Sequence, residues 1–203
     1  MKRLAPALVL TLALGCALPA QAETVDVKKA MEDRFIGKAD APVTINEYAS
    51  LTCHHCASFH HNALPVVKKD LVETGKARLV FHDFPLDGFA LKAAMMARCA
   101  PEDKYFPLLS VIFSNQERWT KAPDIDTSLA QLGALAGLDE DYAKSCMKNE
   151  ELQKAIVAKM QDAQKAENIH ETPSFRFTRG AEKMEEWDEF QDIFKANMVK
   201  HTD

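Results

Sequence analysis

A Cys-x-x-Cys pair, Cys53 and Cys56, stands where a strand-like segment gives way to a helical pattern. The segment 43–49 before the pair is β-branched and apolar, which predicts a central strand. After the pair, apolar residues recur at helical spacing until Gly75, a residue suited to the end of a helix. We therefore expect Cys53 at the start of a helix that Pro65 kinks.

The rest of the chain alternates between strand and helix patterns. A second strand is predicted over 79–84, helices from about 87 to 168, a strand over 172–177 and a helix over 187–198. Strands that alternate with helices are typical of an α/β sheet, here with a helical block between its two halves. The predicted organisation is a lead-in 23–41 with room for one edge strand, an N-terminal half 42–86, a helical insertion 87–168 and a C-terminal half 169–203.

The N-terminus has the pattern of a secretory signal peptide. Two basic residues precede an apolar run over 4–18, and the small residues Ala20 and Ala22 follow. The run is short for a membrane-spanning helix, so cleavage after Ala22 is expected to remove residues 1–22 and export the chain, to the periplasm. Lipidation at Cys16 is the less favoured alternative, because the residues before it are in the wrong order for a lipobox.

Length and charge restrict the class of protein further. A chain of 203 residues is expected to form one compact domain with an insertion. The net charge is −5, and removal of the leader takes away two positive charges, Lys2 and Arg3. An acidic chain without basic runs argues against nucleic acid and anionic membrane surfaces as partners.

The context of the Cys-x-x-Cys pair favours redox chemistry. A zinc site would need a second pair of ligands, but Cys99 and Cys146 are isolated in predicted helices. Haem attachment would need histidine directly after Cys56, where Ala57 stands. A redox pair at the junction of strand and helix remains, with an inert disulfide as the alternative.

The two cysteines are expected to differ in chemistry. The thiolate is the reactive form in disulfide exchange, and the N–H groups and dipole of a helix N-terminus favour negative charge at Cys53. His54 or His55 would add to this effect if protonated or donating a hydrogen bond. Cys56, one turn further in, is expected to be shielded and to act as the resolving thiol.

The sequence around the pair resembles DsbA-like thiol-disulfide oxidoreductases. The resemblance covers most of residues 30 to 198 and implies a thioredoxin fold with a helical insertion. It rests on four segments in the family's order: Ala41-Pro42-Val43-Thr44-Ile45, the run from Glu47 to His60, Asp83-Phe84-Pro85-Leu86-Asp87 and Thr172-Pro173-Ser174-Phe175.

The resemblance also implies roles for three residues outside the pair. Pro173 corresponds to a cis-proline that faces the cysteines, and Thr172 would offer backbone groups to an extended substrate strand. Glu47 corresponds to a buried acidic residue beneath the pair, a proton acceptor for Cys56. The alternatives are an ordinary trans proline and a solvated glutamate at the strand edge.

The family resemblance predicts a monomeric oxidase that introduces disulfides into reduced client proteins outside the cytoplasm. It implies no cofactor besides the Cys53–Cys56 disulfide, and reoxidation by a quinone-linked membrane partner. Two departures from the family's best-known oxidant leave an isomerase or a reductase as alternative functions. His54 replaces proline in the linker of the family's best-known oxidant, and Thr172 replaces valine. The lead-in is too short for the dimerisation region of the isomerases, which favours the oxidase.

Cys99 and Cys146 are expected to form a structural disulfide. They are 47 positions apart on two predicted helices, in a chain whose export would favour disulfides. Two free buried cysteines are the alternative.

Copper or zinc binding is the rival function. Successive helical residues point in different directions, so Cys56 and His60 can face one metal while His54 and His61 largely cannot. His60 and His61 are predicted to be exposed helix residues, and no metal ligand is assigned. The rival rests on a dense cluster of possible ligands: Cys53, His54, His55, Cys56, His60 and His61.

Overall fold

The computed structural model describes residues 24–198 as five strands and ten α-helices, with π-helical segments at Phe59–Ala63 and Lys68–Val72. The strands are β1 (Arg34–Ile36), β2 (Val43–Ala49), β3 (Ala77–Asp83), β4 (Ser174–Arg179) and β5 (Glu182–Met184). The helices are α1 (Val27–Ala30), α2 (His54–Ser58), α3 (Leu64–Val67), α4 (Gly88–Arg98), α5 (Glu102–Ser114), α6 (Gln116–Thr120), α7 (Ile125–Leu135), α8 (Glu140–Met147), α9 (Glu150–Ala166) and α10 (Asp188–Met198).

The five strands form one mixed sheet in the order β1-β3-β2-β4-β5. Strands β2 and β3 are parallel, and the helical run from α2 onward connects them, because parallel neighbours need a crossover. The other three pairs are antiparallel. Helices α4 to α9 lie between β3 and β4 along the chain, so the predicted α/β sheet with a helical insertion is confirmed. The predicted domain boundaries themselves remain predictions.

Strand β2 is the central strand, and its two faces are covered differently. Val43 and Ile45 face the helical run after Cys53 and pack there with Phe59, Val67 and further apolar residues. Because side chains alternate along a strand, Glu47 lies on this same covered face. On the opposite face, Tyr48 packs with Phe84, Ile169 and residues of α9. The predicted strand over 43–49 is thus confirmed with the same bounds.

The helical run after Cys53 is irregular around Pro65. The π-helical segment Phe59–Ala63 ends directly before α3, where Pro65 occupies the first turn. A wider π turn brings the N–H of Leu64 to the carbonyl of Phe59, and Pro65 has no N–H to lose. The irregularity next to Pro65 is thus a π turn in a continuous helical run, and the kink expected there stays a prediction.

Several boundaries differ from the sequence-based expectation for local reasons. The second strand begins at Ala77 and ends at Asp83. The strand predicted over 172–177 begins only at Ser174, because Pro173 cannot donate a hydrogen bond to the sheet. Strand β5 was missed, since its three residues are too few and too polar to show alternation. The edge strand expected in the lead-in is β1.

The apolar core of the helical insertion, around Trp119, Leu108 and Leu129, is continuous with Cys56 of α2 and Phe81 of β3. The sulfur atoms of Cys99 and Cys146 are 2.07 Å apart, so the expected disulfide is formed and joins the end of α4 to α8. No helix within residues 24–198 is long and apolar enough to cross a membrane. The predicted signal peptide and its alternative at Cys16 lie outside the described residues.

Loss of the Cys99–Cys146 disulfide should destabilise the fold. Closing a loop of this length removes conformational entropy from the unfolded chain, so the Cys99→Ala, Cys146→Ala double variant should lose about 2–4 kcal/mol of unfolding free energy. Urea titration at neutral pH measures this loss in a Cys53→Ala, Cys56→Ala background. Strong reductant should produce a similar loss when Cys99 and Cys146 are retained. Equal stability of the bridged and unbridged proteins would contradict the structural role.

Candidate active site

Cys53 is the N-cap residue of α2, directly after the loop that follows β2. Its backbone is extended, and its sulfur accepts a hydrogen bond from the Cys56 N–H at 3.4 Å. The residue is partly exposed, whereas Cys56 is completely buried. The cysteine pair predicted at the helix start is therefore arranged with one sulfur accessible and the other behind it.

The pKa of Cys53 is lowered to about 5. The largest cause is the thiol of Cys56, which donates a hydrogen bond to the Cys53 thiolate and outweighs the opposing effect of burial. The Thr172 side chain and the backbone N–H groups of Cys56 and His55 contribute further. The thiolate is thus the dominant form of Cys53 at neutral pH.

Cys56 has the opposite behaviour. Burial raises the pKa of its thiol far above the ordinary range, and the hydrogen bond to Cys53 and the charges of Cys53 and Glu47 raise it further. The reduced pair therefore holds one thiolate, at Cys53, and one thiol, at Cys56. A chemical step that uses the Cys56 sulfur must first remove its proton.

The Thr172–Pro173 peptide bond is cis and lies opposite Cys53, as the family resemblance implied. The Thr172 carbonyl is 3.2 Å from the Cys53 sulfur and accepts a hydrogen bond from the thiol form. The buried Thr172 hydroxyl has no hydrogen-bond partner within residues 24–198, which leaves it available to the Cys53 thiolate. Together these groups form a short polar edge beside the accessible sulfur.

Glu47 is completely buried, as the resemblance implied. Its Oε1 accepts a hydrogen bond from His60 Nε2 at 2.9 Å. The prediction that His60 is an exposed helix residue is wrong: its side chain is 2% exposed, among the rings of Phe59, Phe81 and Phe113. Its helical position four residues after the buried Cys56 is the signal that could have shown this. His61 is exposed as predicted.

His54 and His55 are both exposed. The main contributions to the lowered pKa of Cys53 come from Cys56, Thr172 and backbone N–H groups, including that of His55, and not from the imidazole rings. The Cys56 thiol, followed by Thr172 and the N–H groups at the start of α2, therefore accounts for the thiolate. The two imidazoles lie on the exposed surface, where a docking client protein would contact them.

The structure does not assemble the metal-binding cluster considered for this region. No three His, Cys, Asp or Glu side chains within residues 24–198 are grouped to hold a metal ion. His60 is already bound to Glu47, and the exposed rings at His54 and His61 stand apart from that buried pair.

Gln116 and Asp87 hold the loop around Cys53, and sequence reasoning missed both. The buried Gln116 side chain donates from Nε2 to the carbonyls of Leu51 and Cys53, at 2.9 and 3.1 Å. Asp87 caps α4 and accepts a hydrogen bond from the Thr52 hydroxyl at 2.7 Å. A polar residue inside a predicted helix gives no sequence signal of such a distant contact.

The mixed sheet, the helix-capping cysteine pair and the facing cis-proline define a protein of the thioredoxin superfamily. A family profile described as thioredoxin matches residues 29–196. The chain belongs to this family and, within it, to the DsbA-like proteins with a thioredoxin fold and a helical insertion.

Relatives and solved structures support this assignment. The crystal structure of Wolbachia pipientis α-DsbA1 has a TM-score of 0.69 and 30% identity, over 84% of this chain and 92% of that one. A Rickettsia conorii protein, provisionally named a protein-disulfide oxidoreductase, is 30% identical over 151 residues, 74% of this chain and 54% of that protein. Disulfide bond formation protein D of Bacillus subtilis is 26% identical over 68% of this chain and 64% of its own length. The chain thus spans about half the length of the Rickettsia relative.

The lowered pKa of Cys53 predicts its reactivity with an alkylating reagent. The rate of Cys53 alkylation should be nearly constant above pH 6 and fall as the pH drops through about 5, because the thiolate is lost. Mass spectrometry of the reduced protein should find a single adduct, since Cys56 is buried. Cys56→Ala removes the largest cause and should move the midpoint to higher pH. A wild-type midpoint near that of free cysteine would contradict the assignment.

Proposed function

We propose that this protein is an exported thiol-disulfide oxidoreductase that introduces disulfides into reduced client proteins. The observation that carries the proposal is the arrangement of the two sulfurs. Cys53 is accessible, with its pKa lowered to about 5, while Cys56 is buried directly behind it as a thiol. In the oxidised form of such a pair, a client thiolate can reach the Cys53 sulfur, and the buried Cys56 sulfur is the leaving group.

The first step would be attack by a client thiolate on the Cys53 sulfur of the oxidised pair. The client–Cys53 bond forms, the Cys53–Cys56 bond breaks, and Cys56 leaves with the electron pair. Cys56 then takes up a proton, because burial strongly disfavours its thiolate. Glu47 is the proposed group for this proton exchange, since its buried carboxylate lies close enough to affect the ionisation of Cys56.

In the second step, another client thiolate would attack the client sulfur of the mixed disulfide. The client disulfide forms and Cys53 leaves as a thiolate, a good leaving group because its pKa is low. The client has lost two electrons and the Cys53–Cys56 pair has gained them. Reoxidation of the pair by a quinone-linked membrane partner is proposed from the family resemblance.

The direction of electron flow follows from the stability of the reduced form. A stabilised Cys53 thiolate makes the Cys53–Cys56 disulfide easier to reduce, which makes the protein a stronger oxidant. Thr172 stands before the cis-proline where the family's best-known oxidant has valine. An isomerase or a reductase of the same fold therefore remains the alternative function. A redox titration against glutathione separates them, since an oxidase should have a more oxidising potential than a reductase such as thioredoxin.

Client binding is proposed at the edge formed by Thr172 and Pro173. The Thr172 carbonyl already faces the Cys53 sulfur, so a client strand that pairs with this backbone would bring its own cysteine to Cys53. Backbone hydrogen bonds do not depend on the client's side chains, so this mode of binding suits clients of many sequences. Action as a monomer in the periplasm completes the proposal.

Single cysteine variants test the assigned roles. Cys53→Ser should reduce catalysed oxidative refolding of a reduced substrate to the uncatalysed rate, because no mixed disulfide can form. Cys56→Ser, mixed with a client that already carries a disulfide, should instead accumulate mixed disulfides visible on non-reducing gels, because Cys53 attacks the client disulfide and the thiol that would displace the client sulfur from Cys53 is missing. Cys99→Ala, Cys146→Ala is the control and should retain activity at a temperature where it is folded. Full activity of both single variants would exclude the proposed function.

A further inference from the structure

Glu47 and His60 form a buried polar pair between β2 and the helical run that carries the cysteines. Their side chains are 0% and 2% exposed, and a single hydrogen bond of 2.9 Å joins Glu47 Oε1 to His60 Nε2. Burial of a carboxylate costs free energy unless it is paired, so this bond holds Glu47 in place.

Each partner has a second polar atom that the pairing leaves unused. Glu47 Oε2 and His60 Nδ1 are buried and have no hydrogen-bond partner in the described part of the chain. An unpaired buried carboxylate oxygen is costly, and native proteins rarely keep one without a purpose. Oε2 is therefore a free proton-accepting atom whose position is fixed through Oε1.

The helical run places His60, which holds Glu47, on the same side as the buried cysteine. His60 follows Cys56 by four positions, so the two side chains lie on one face of the helical run. Both are buried, and Glu47 lies on the face of β2 that this run covers. The Glu47 charge acts on the ionisation of Cys56, which indicates that the carboxylate is near the sulfur.

We infer that His60 is a positioning residue that holds Glu47 through Oε1 so that Oε2 exchanges the Cys56 proton. This inference rests on the proposed function and deepens it. In the resolving step, Glu47 takes the proton from the Cys56 thiol. The Cys56 sulfur then attacks Cys53, the Cys53–Cys56 bond forms, and the bond from Cys53 to the client sulfur breaks. The client sulfur leaves as a thiolate, and the proton on Glu47 passes to solvent.

Other ionisable groups around His60 are few and are distinct in behaviour. Cys53 and Cys56 lie on its own helical run, and Glu47 lies on β2. From α5, burial raises the pKa of Tyr105 well above its usual range, so Tyr105 stays neutral. The guanidinium groups of Arg34 and Arg98 lie over the Tyr105 ring, 5.7 and 5.3 Å from its centre.

A two-phase reaction with an aryl disulfide that releases a coloured thiolate tests the inference. In the first phase Cys53 attacks the reagent, and in the second Cys56 resolves the mixed disulfide. His60→Phe fits the aromatic surroundings but cannot donate to Oε1. It should slow the second phase on the order of tenfold, a fraction of what general acid–base catalysis supplies, and change the first by less than about twofold.

The conservative variant separates positioning from packing. His60→Gln retains a donor and should keep the second phase within about threefold of wild type. His61→Phe, at the exposed neighbouring position, is the matched control and should change neither phase. If His60→Phe does not fold, His60→Leu replaces it.

A double variant decides whether His60 acts through Glu47. Glu47→Gln should also slow the second phase, and Glu47→Gln, His60→Phe should be no slower than Glu47→Gln alone. An unchanged second phase in His60→Phe, or an additive effect in the double variant, would overturn the inference. Persistence of the wild-type second phase in Cys56→Ser would instead overturn the proposed function, so the two failures are distinguishable.

Discussion

The antiparallel pairing of β2 with β4 joins the two ends of the site across most of the chain. Asn46 donates a side-chain hydrogen bond to the carbonyl of Arg176, 130 positions away, and Tyr48 pairs with Ser174 at the end of the ladder. Beyond that last pair, one strand continues into the loop before Cys53 while the other begins directly after Pro173. The sheet therefore sets the 3.2 Å distance between the Cys53 sulfur and the Thr172 carbonyl.

The same register determines which face of β2 carries Glu47. A slip by one residue would turn Glu47 to the opposite face, where Tyr48 packs against α9. Val43 is almost completely buried and Ile45 is completely buried. The packing of both depends on the observed register, so it opposes the slip. Apolar packing thus specifies the position of a buried charge, although the charge itself contributes little to the specification.

How far the sequence predicted the site depended on whether the signal was local. Strand β2 and the start of α2 were predictable, because β-branched residues and helical spacing act over a few positions. His60 was mispredicted because its polarity was given more weight than its helical position relative to Cys56. Gln116 could not be predicted, since its contacts with Leu51 and Cys53 cross 65 and 63 positions of sequence.

Cys53 and Cys56 behave as one coupled unit. The Cys56 thiol is the largest cause of the lowered pKa of Cys53, and the Cys53 charge in turn raises the pKa of Cys56. Ionising one sulfur therefore makes the other harder to ionise, and the reduced pair holds a single proton on its buried side. The accessible sulfur can exchange protons with water, but the buried one cannot do so directly. A proton route on the buried side is consequently required by the burial of Cys56 itself, whichever direction the electrons take.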